Sequence, residues 1–479
     1  MRKKNNVIES VGAKNILPLR EQMTAPNFPI RIAFVCPHIF MSDELMSDNI
    51  FSPGDLAIDL ANGLAEAGAE VTLFSPGVVG RDNSKGKRFF DPTKKSKGKR
   101  YFAPTVKNIT ADQTLLKEEL ETRGYGLKEL LKKHPLLFTT LSRHFQSEII
   151  AKAYEMANDD MFDIVHVYML EEQIALEMSG LCNKPVVFTH HDPYSFLTKY
   201  RTILPKYKDR NFISMSLSQR EDMPDDTNWV GNVYHGIDEK RFKPKYLGPG
   251  YNPSPAGEPS PAPAGQNDTE YFAYLGRIIE PKGVHYAIAA VKKYNEELAT
   301  RNSKPVTLKI AGKHYSDESN DSYWNSVIAP ELNDTVEYVG YVSGDKAKQK
   351  FLGNAKALLV PSIFKEPFGM VTIEALSCGT PVIGLDNGAT KELIENGKNG
   401  FVINDSDREK RKSYYESKMK KVRDFYYGES RVVDELVEVM EKINQVDRSV
   451  CRDSFENKFT LRKMLQGHID IYNKLIIKV

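Results

Sequence analysis

Short, wholly apolar runs alternate with longer stretches of helical period along both halves of the chain, and that alternation predicts a doubly wound α/β fold. Arg31 to Cys36 reads as a strand, Asp55 to Ala67 as an amphipathic helix stopped at Gly68, and Val71 to Phe74 as the next strand. Further strands are predicted at Ile164 to Val167, Val186 to Thr189, Phe212 to Ser216 and Gly231 to Tyr234. The rhythm then stops. Residues 244–265 hold seven prolines and four glycines, a composition that suits an extended linker or surface loop rather than core. Beyond it the alternation resumes, with strands at Tyr271 to Leu275, Val306 to Ile310, Val336 to Val339, Ala357 to Val360 and Val382 to Leu385. The chain so divides into a first domain over 1–240, a linker over 241–270 and a second domain over 271–454. Phe455, Phe459, Leu465, Ile469, Tyr472 and Ile476 near the C-terminus keep helical spacing.

A chain of 479 residues is too long for one core, which agrees with two domains of ordinary size. The balance of 66 basic against 64 acidic residues argues against a dedicated nucleic-acid binder. Four scattered cysteines without a C-x-x-C indicate neither a zinc site nor a disulfide framework and suit a reducing cytoplasm. The N-terminus lacks a signal peptide's apolar centre, and no run approaches about 18 apolar residues, so the expectation is a cytoplasmic chain that does not span a membrane. Two segments are strongly basic: 81–100 carries nine Lys or Arg against two Asp, and 408–423 carries eight against two Glu. Solvated insertions are the first reading. The alternative is peripheral contact with an anionic membrane surface, at about 1 kcal/mol per basic residue near the lipid.

The most informative stretch runs from Glu366 through Pro-Phe-Gly369 to Glu374 and on to Gly379-Thr380-Pro381. Its character changes at Gly369, where a loop gives way to an apolar-periodic segment that should be a helix, followed by a strand from Pro381 to Leu385. One carboxylate therefore lies in the loop and the other on the helix. The helix start adds unpaired N–H groups and a positive dipole end, a ready site for phosphate. Upstream, the strand ending at Leu275 leads into Gly276-Arg277-Ile278-Ile279-Glu280-Pro281-Lys282-Gly283 and then a helix with Val284, Ile288 and Val291 on its apolar side. Arg277 can grip phosphate oxygens through its planar fork, and Lys282 adds a compact charge on the same side. Two unit charges about 4 Å apart gain roughly 4 kcal/mol at an effective dielectric of ~20. Both motifs follow strands, and ligands of open parallel sheets bind beyond the carboxyl ends of strands. They can share one crevice.

The acidic segment resembles the E-x7-E element of the retaining nucleotide-sugar glycosyltransferases of family 4, and Gly276 to Gly283 resembles that family's G-R-x4-K-G loop. The resemblance implies the GT-B fold: two Rossmann-like doubly wound domains facing an interdomain cleft, with a C-terminal helix, here about 455–479, crossing back to the first domain. It also implies roles. Glu366 faces the donor sugar near its anomeric carbon, Arg277 and Lys282 contact the donor diphosphate, and the backbone around Gly369, Met370 and Val371 holds the distal phosphate. Glu374 accepts hydrogen bonds from the ribose hydroxyls, with Gly276 and Phe368 completing the donor-binding set. Pro-Val-Val-Phe-Thr-His190-His191-Asp looks like the family's strand ending in a histidine that reaches the donor sugar or reaction centre; the register favours His191, in a hydrogen-bonding role. His235-Gly-Ile-Asp238 resembles the family's N-G-I/V-D turn at the interdomain passage, with a structural role.

The expected reaction is transfer of a hexosyl unit, from a UDP-sugar first and a GDP-sugar second, to a hydroxyl acceptor in glycan, glycolipid or small-glycoside synthesis, with no metal or other cofactor obligatory. A phosphorylase or epimerase using the same crevice, and a catalytically silent nucleotide-sugar binder, are the alternatives. The acceptor side departs from the family. The usual Gly-Gly loop after the first strand is replaced by Pro37-His38 through Ser52-Pro53-Gly54-Asp55, where Gly54 alone could allow close backbone approach. Asp405-Ser406-Asp407 imitates the metal-binding D-x-D of another glycosyltransferase architecture but sits late in a charged stretch and is set aside. Neither a G-x-x-x-x-G-K-[ST] loop nor an H-E-x-x-H is present.

Overall fold

Thirteen short strands, most of them wholly or half buried, build two parallel sheets in a computed structural model that describes residues 29–41, 52–77, 106–168, 172–244, 271–314, 322–409, 411 and 426–477. The first sheet comprises β1 (Arg31–Val35), β2 (Glu70–Ser75), β3 (Lys107–Thr110), β4 (Ile164–Tyr168), β5 (Val186–Thr189), β6 (Asn211–Ser214) and β7 (Trp229–Asn232), in the order β3-β2-β1-β4-β5-β6-β7. The second comprises β8 (Tyr271–Leu275), β9 (Thr307–Ala311), β10 (Val336–Gly340), β11 (Ala357–Val360), β12 (Val382–Leu385) and β13 (Gly400–Ile403), in the order β10-β9-β8-β11-β12-β13. In each, the order reverses direction beside the first strand of the domain. That reversal opens a crevice at the strands' carboxyl ends, where both motifs were expected.

Burial on both faces explains why the strands read as continuous apolar runs. On one side of the first sheet, the helices Ser52–Glu66 and Leu461–Ile477 pack through Leu60, Leu64, Leu465 and Tyr472; on the other, the helix Pro135–Asn158 packs through Phe145, Ile149 and Ala153. Full burial of each large apolar side chain contributes about 1.5–3 kcal/mol. The C-terminal segment does cross back, but not as one helix. It is Arg448–Lys458 followed by Leu461–Ile477, broken at Phe459 and Thr460. At the break, Ile237 N donates to Phe459 O (3.1 Å) and Leu461 N donates to Ile237 O (2.9 Å), so the two passages between domains run side by side. Phe455 and Phe459 belong to the second core, and Leu465, Ile469 and Tyr472 to the first.

Two strand positions differ from expectation for local reasons. β6 ends at Ser214 because Met215 N is taken by the Gln219 side chain at 3.1 Å, and β7 ends at Asn232 because the chain turns into the interdomain passage. β3 and β13 were not expected; each is a four-residue edge strand held by its one neighbour, β2 and β12 respectively. Gly54 lies in the first turn of a helix rather than in a loop. Most of the Pro-rich linker, the basic segment 81–100 and most of 408–423 lie outside the described residues. Among the described residues no helix is long and apolar enough to cross a membrane.

Candidate active site

Gly369 starts the helix Met370–Ser377 with φ 108° and ψ 65°, a backbone state that L side chains rarely adopt. With no side chain capping this helix, the N–H groups of its first turn present the dipole's positive end to whatever lies before it. Phe368 anchors the loop: it is buried and packs its ring against Tyr234, His235 and Phe459 at 6.0, 5.0 and 6.2 Å. Met370 is half-buried and touches the cores of both domains. The helix mouth therefore sits at the domain seam.

The basic loop and the acidic loop meet directly. Lys282, 84 residues from Glu366 in sequence, pairs its ammonium with Glu366 Oε1, and Ser362 Oγ donates to the same oxygen at 2.8 Å. The Lys282 ammonium also lies 5.2 Å from the Phe364 ring centroid. Arg277 is exposed, with its carbonyl accepting from Tyr274 Oη at 2.8 Å. Its charge reaches the first domain: burial pushes the Asp192 carboxyl up from its ordinary range, while His190 and Arg277 pull the other way.

Gly388 was not foreseen. Its φ is 66°, and a Cβ there would stand 2.2 Å from Glu366 O and 2.5 Å from Glu366 N, while Ala389 N donates to Glu366 O at 2.9 Å. The Glu366 backbone is seated on a glycine that no larger residue can replace. Gly388→Ala is expected to lower turnover about 100-fold, because a displacement of ~1 Å at a reacting group has that effect. Backbone strain should cost about 1–3 kcal/mol of stability and the clash with the Glu366 backbone about as much again. Thermal melting beside a turnover assay separates the two; an alanine variant with wild-type turnover would remove Gly388 from the site.

Glu374 is buried in the second turn of the same helix and held by Lys348 Nζ, at 2.7 Å to Oε1 and 3.0 Å to Oε2. Sequence reading missed this lysine. It lies among Lys346 and Lys350 on a helix, Asp345–Gly353, that reads as an ordinary solvated face.

The paired histidines separate by direction. His190 is fully buried, with its Nδ1 against the Glu172 carboxylate inside the first domain. His191 turns the other way, stacking on His235 (5.2 Å, 9° between planes) and meeting Tyr168 edge-on at 4.5 Å. Burial pushes His191 well below its ordinary pKa, with His235 and His190 adding to the effect; burial and then His468 take His235 down to about 3. Both rings are neutral near pH 7, which suits hydrogen bonding rather than charge. His235, expected only as a turn residue, links His191 to Phe368 and so to the helix mouth.

A polar seam closes the cleft beyond the helix mouth. Glu392 accepts from Leu217 N (2.8 Å), Ser218 N (2.7 Å) and Tyr234 Oη (3.0 Å), Ser216 Oγ donates to Pro367 O (2.6 Å), and Lys365 pairs with Asp222 (2.8 Å). Beside it lies a cavity of about 860 Å³ lined by Glu221, Lys365, Asn387, Gly388, Lys391 and Arg408, among others. The Asp-Ser-Asp run is occupied within the protein. Asp405 is gripped by Arg411 and Arg408, and Asp407 accepts from Ser430 Oγ and Arg431 N; of the two basic residues described at the start of 408–423, Arg411 is buried and Arg408 stays exposed. Gly54 is buried and Gly276 half-buried, each beyond the carboxyl end of its domain's first strand.

Residues 260–420 match the family described as Glycosyl transferases group 1. The chain is 26% identical over 277 residues to an uncharacterized glycosyltransferase of Methanocaldococcus jannaschii, a stretch covering 54% of this chain and 66%, just under two thirds, of that relative. Among solved structures it resembles sucrose-phosphate synthase from Thermosynechococcus elongatus, with a TM-score of 0.59 and 15% identity over 94% of this chain and 100% of that one. Anabaena HepE, solved in complex with UDP and glucose, gives a TM-score of 0.54 and 14% identity over 92% and 98% of the two chains. The chain therefore has the GT-B fold, two parallel-sheet α/β domains, and within it residues 260–420 match the glycosyl transferases group 1 family.

Proposed function

We propose that the chain is a retaining glycosyltransferase of family 4 that moves a hexosyl unit from a nucleoside-diphosphate sugar to a hydroxyl acceptor. The observation that carries this reading is the meeting of Lys282 with Glu366 at the loop opening the helix Met370–Ser377. A cation, an acid and a helix start are then available to one ligand. The diphosphate lies over the N–H groups of Met370 and Val371, with Arg277 and Lys282 beside it. Glu374 takes the ribose, and Glu366, fixed by Lys282 and Ser362, faces the sugar.

As the bond from the anomeric carbon to the phosphate oxygen breaks, its electron pair leaves with the phosphate and positive charge grows on the ring. Preorganised donors aimed at the departing oxygens stabilise the negative charge building on the phosphate more than they stabilise the ground state. The departing phosphate takes the acceptor's proton while the acceptor oxygen attacks from the same face. His191, being neutral, donates a hydrogen bond without having to act as a base. The UDP and glucose bound in the Anabaena structure support a UDP-sugar as the first donor to test. Incubation with UDP-, GDP- and ADP-sugars, reading nucleotide release and the anomeric configuration of the product by proton NMR, tests the reading. Release from one donor with retention is expected; an inverted product, or no release from any donor, overturns it.

A further inference from the structure

We infer that Lys348 is a positioning residue for the nucleotide: it holds the Glu374 carboxylate in the orientation that ribose hydroxyls require, and so sets donor affinity without touching the reacting atoms. The inference rests on the donor reading above, which gives Glu374 its ribose role. Lys348 Nζ contacts both carboxylate oxygens, at 2.7 and 3.0 Å, and the two side chains are only 20% and 5% exposed. A carboxylate so enclosed is disfavoured as an anion without a counter-charge. An ionised carboxylate offers about four lone-pair sites on its two oxygens, of which one bifurcated ammonium uses two. The remaining pair matches a vicinal diol.

The lysine is itself held. Its helix is tied at the first turn, where Arg241 Nε donates to Asp345 Oδ1 at 2.7 Å, and in the middle, where Lys243 N donates to Gln349 Oε1 at 3.1 Å. Its far end is tied by Thr380 Oγ1, which donates to Leu352 O at 2.9 Å. Arg241 and Lys243 belong to the passage between the domains, and Thr380 follows the helix that carries Glu374. The ammonium therefore stands on a support fixed to both the interdomain passage and the ribose helix. A solvated surface lysine has neither restraint.

Calorimetric titration with UDP, beside kcat and donor KM read as nucleotide release from the donor that the panel selects, tests the inference on wild type, K348M, K348Q, K348R, E374Q and K348M/E374Q. Loss of one charge-assisted pair predicts a rise in UDP Kd and donor KM of about tenfold or more for K348M, with kcat changed less than about threefold. K348R should recover most of the affinity, and K348M/E374Q should bind no worse than E374Q, since the lysine acts through the glutamate. K348Q carries the same expectation and serves if K348M does not fold. Wild-type UDP affinity in K348M and K348Q, while E374Q is weakened, overturns the inference and leaves the donor reading standing. Wild-type affinity in E374Q overturns the ribose role itself, and the inference with it.

Discussion

Replacing Lys282 with alanine is expected to lower kcat/KM about 10²- to 10³-fold, the loss typical when one preorganised donor to a developing anion is removed. The size follows from two roles in one side chain. Its ammonium pairs with Glu366, and in the proposed reaction it holds that carboxylate beside the sugar and supplies positive charge where the diphosphate departs. Arginine at the same position keeps the charge, but its planar fork does not reproduce a compact ammonium held between Glu366 and the Phe364 ring, so K282R should recover only part of the rate. Folding should suffer far less. With the Glu366 side chain 12% exposed and still hydrogen-bonded to Ser362, losing the cation should cost about 1–3 kcal/mol, a fall of only several degrees in Tm. Arg277→Ala should lose activity with even less effect on Tm, because that side chain is exposed. A K282A enzyme within about threefold of wild type would mean that the departing anion lies elsewhere, since a preorganised donor is not so easily dispensed with.

The fold was legible wherever a strand is buried on both faces. β5, β8, β11 and β12 fall where their apolar runs place them, because parallel strands covered by helices leave no polar position to blur the signal. Two of the four edge strands, β3 and β13, are another matter. β3 is Lys-Asn-Ile-Thr and β13 is Gly-Phe-Val-Ile, and what makes either a strand is the neighbour it pairs with, β2 and β12. The break at Phe459 and Thr460 was hidden for the same reason: helical spacing continues through it, while the hydrogen bonds that interrupt the helix come from Ile237, more than two hundred residues away.

The same division runs through the site. Residues whose chemistry is carried by local pattern, such as Gly369 before an apolar helix or Arg277 and Lys282 after a strand, could be read from the chain. Those that act through distant partners could not. Lys348 looks like one of several solvated lysines until Glu374 is placed beside it, and Gly388 looks like a turn glycine until Glu366 lies against it. His235 resembles an asparagine position in a turn, and only the stacked His191 ring and the Phe368 edge reveal its position in the seam.

Acid should unfold this protein earlier than its carboxylates alone would allow, and the buried histidines give the reason. His235 and His285 are taken down to about 3, and His468 to about 4, in each case mainly by burial; His166 and His191 are also held well below the ordinary value by burial. Hydrogen bonds keep two of these rings in their neutral settings: His166 between Tyr472 Oη (2.6 Å) and Thr189 Oγ1 (2.9 Å), and His468 on Met464 O (2.8 Å). In the unfolded chain each histidine binds a proton near pH 6.5. As pH falls below that value the unfolded state gains protons that the folded state refuses, so stability declines with falling pH, by about 1.4 kcal/mol per pH unit for each fully titrating group. The decline begins near pH 6.5 and runs on to the folded values near 4 and 3. Asp192 and Glu66, whose carboxyls are raised by burial, act in the opposite sense, whereas lowered carboxyls such as Asp222 and Asp405 add their own losses only below the ordinary carboxylate range. Five histidines titrating together over one pH unit represent about 7 kcal/mol, comparable to the whole stability of many domains. Urea unfolding at pH 7, 6 and 5 should therefore show the midpoint collapsing, with a slope corresponding to uptake of several protons, and His468→Asn should reduce that uptake by about one proton. A midpoint unchanged between pH 7 and 5 would mean that these rings are already solvated, and that the seam joining His191, His235 and the crossing helix is open in solution.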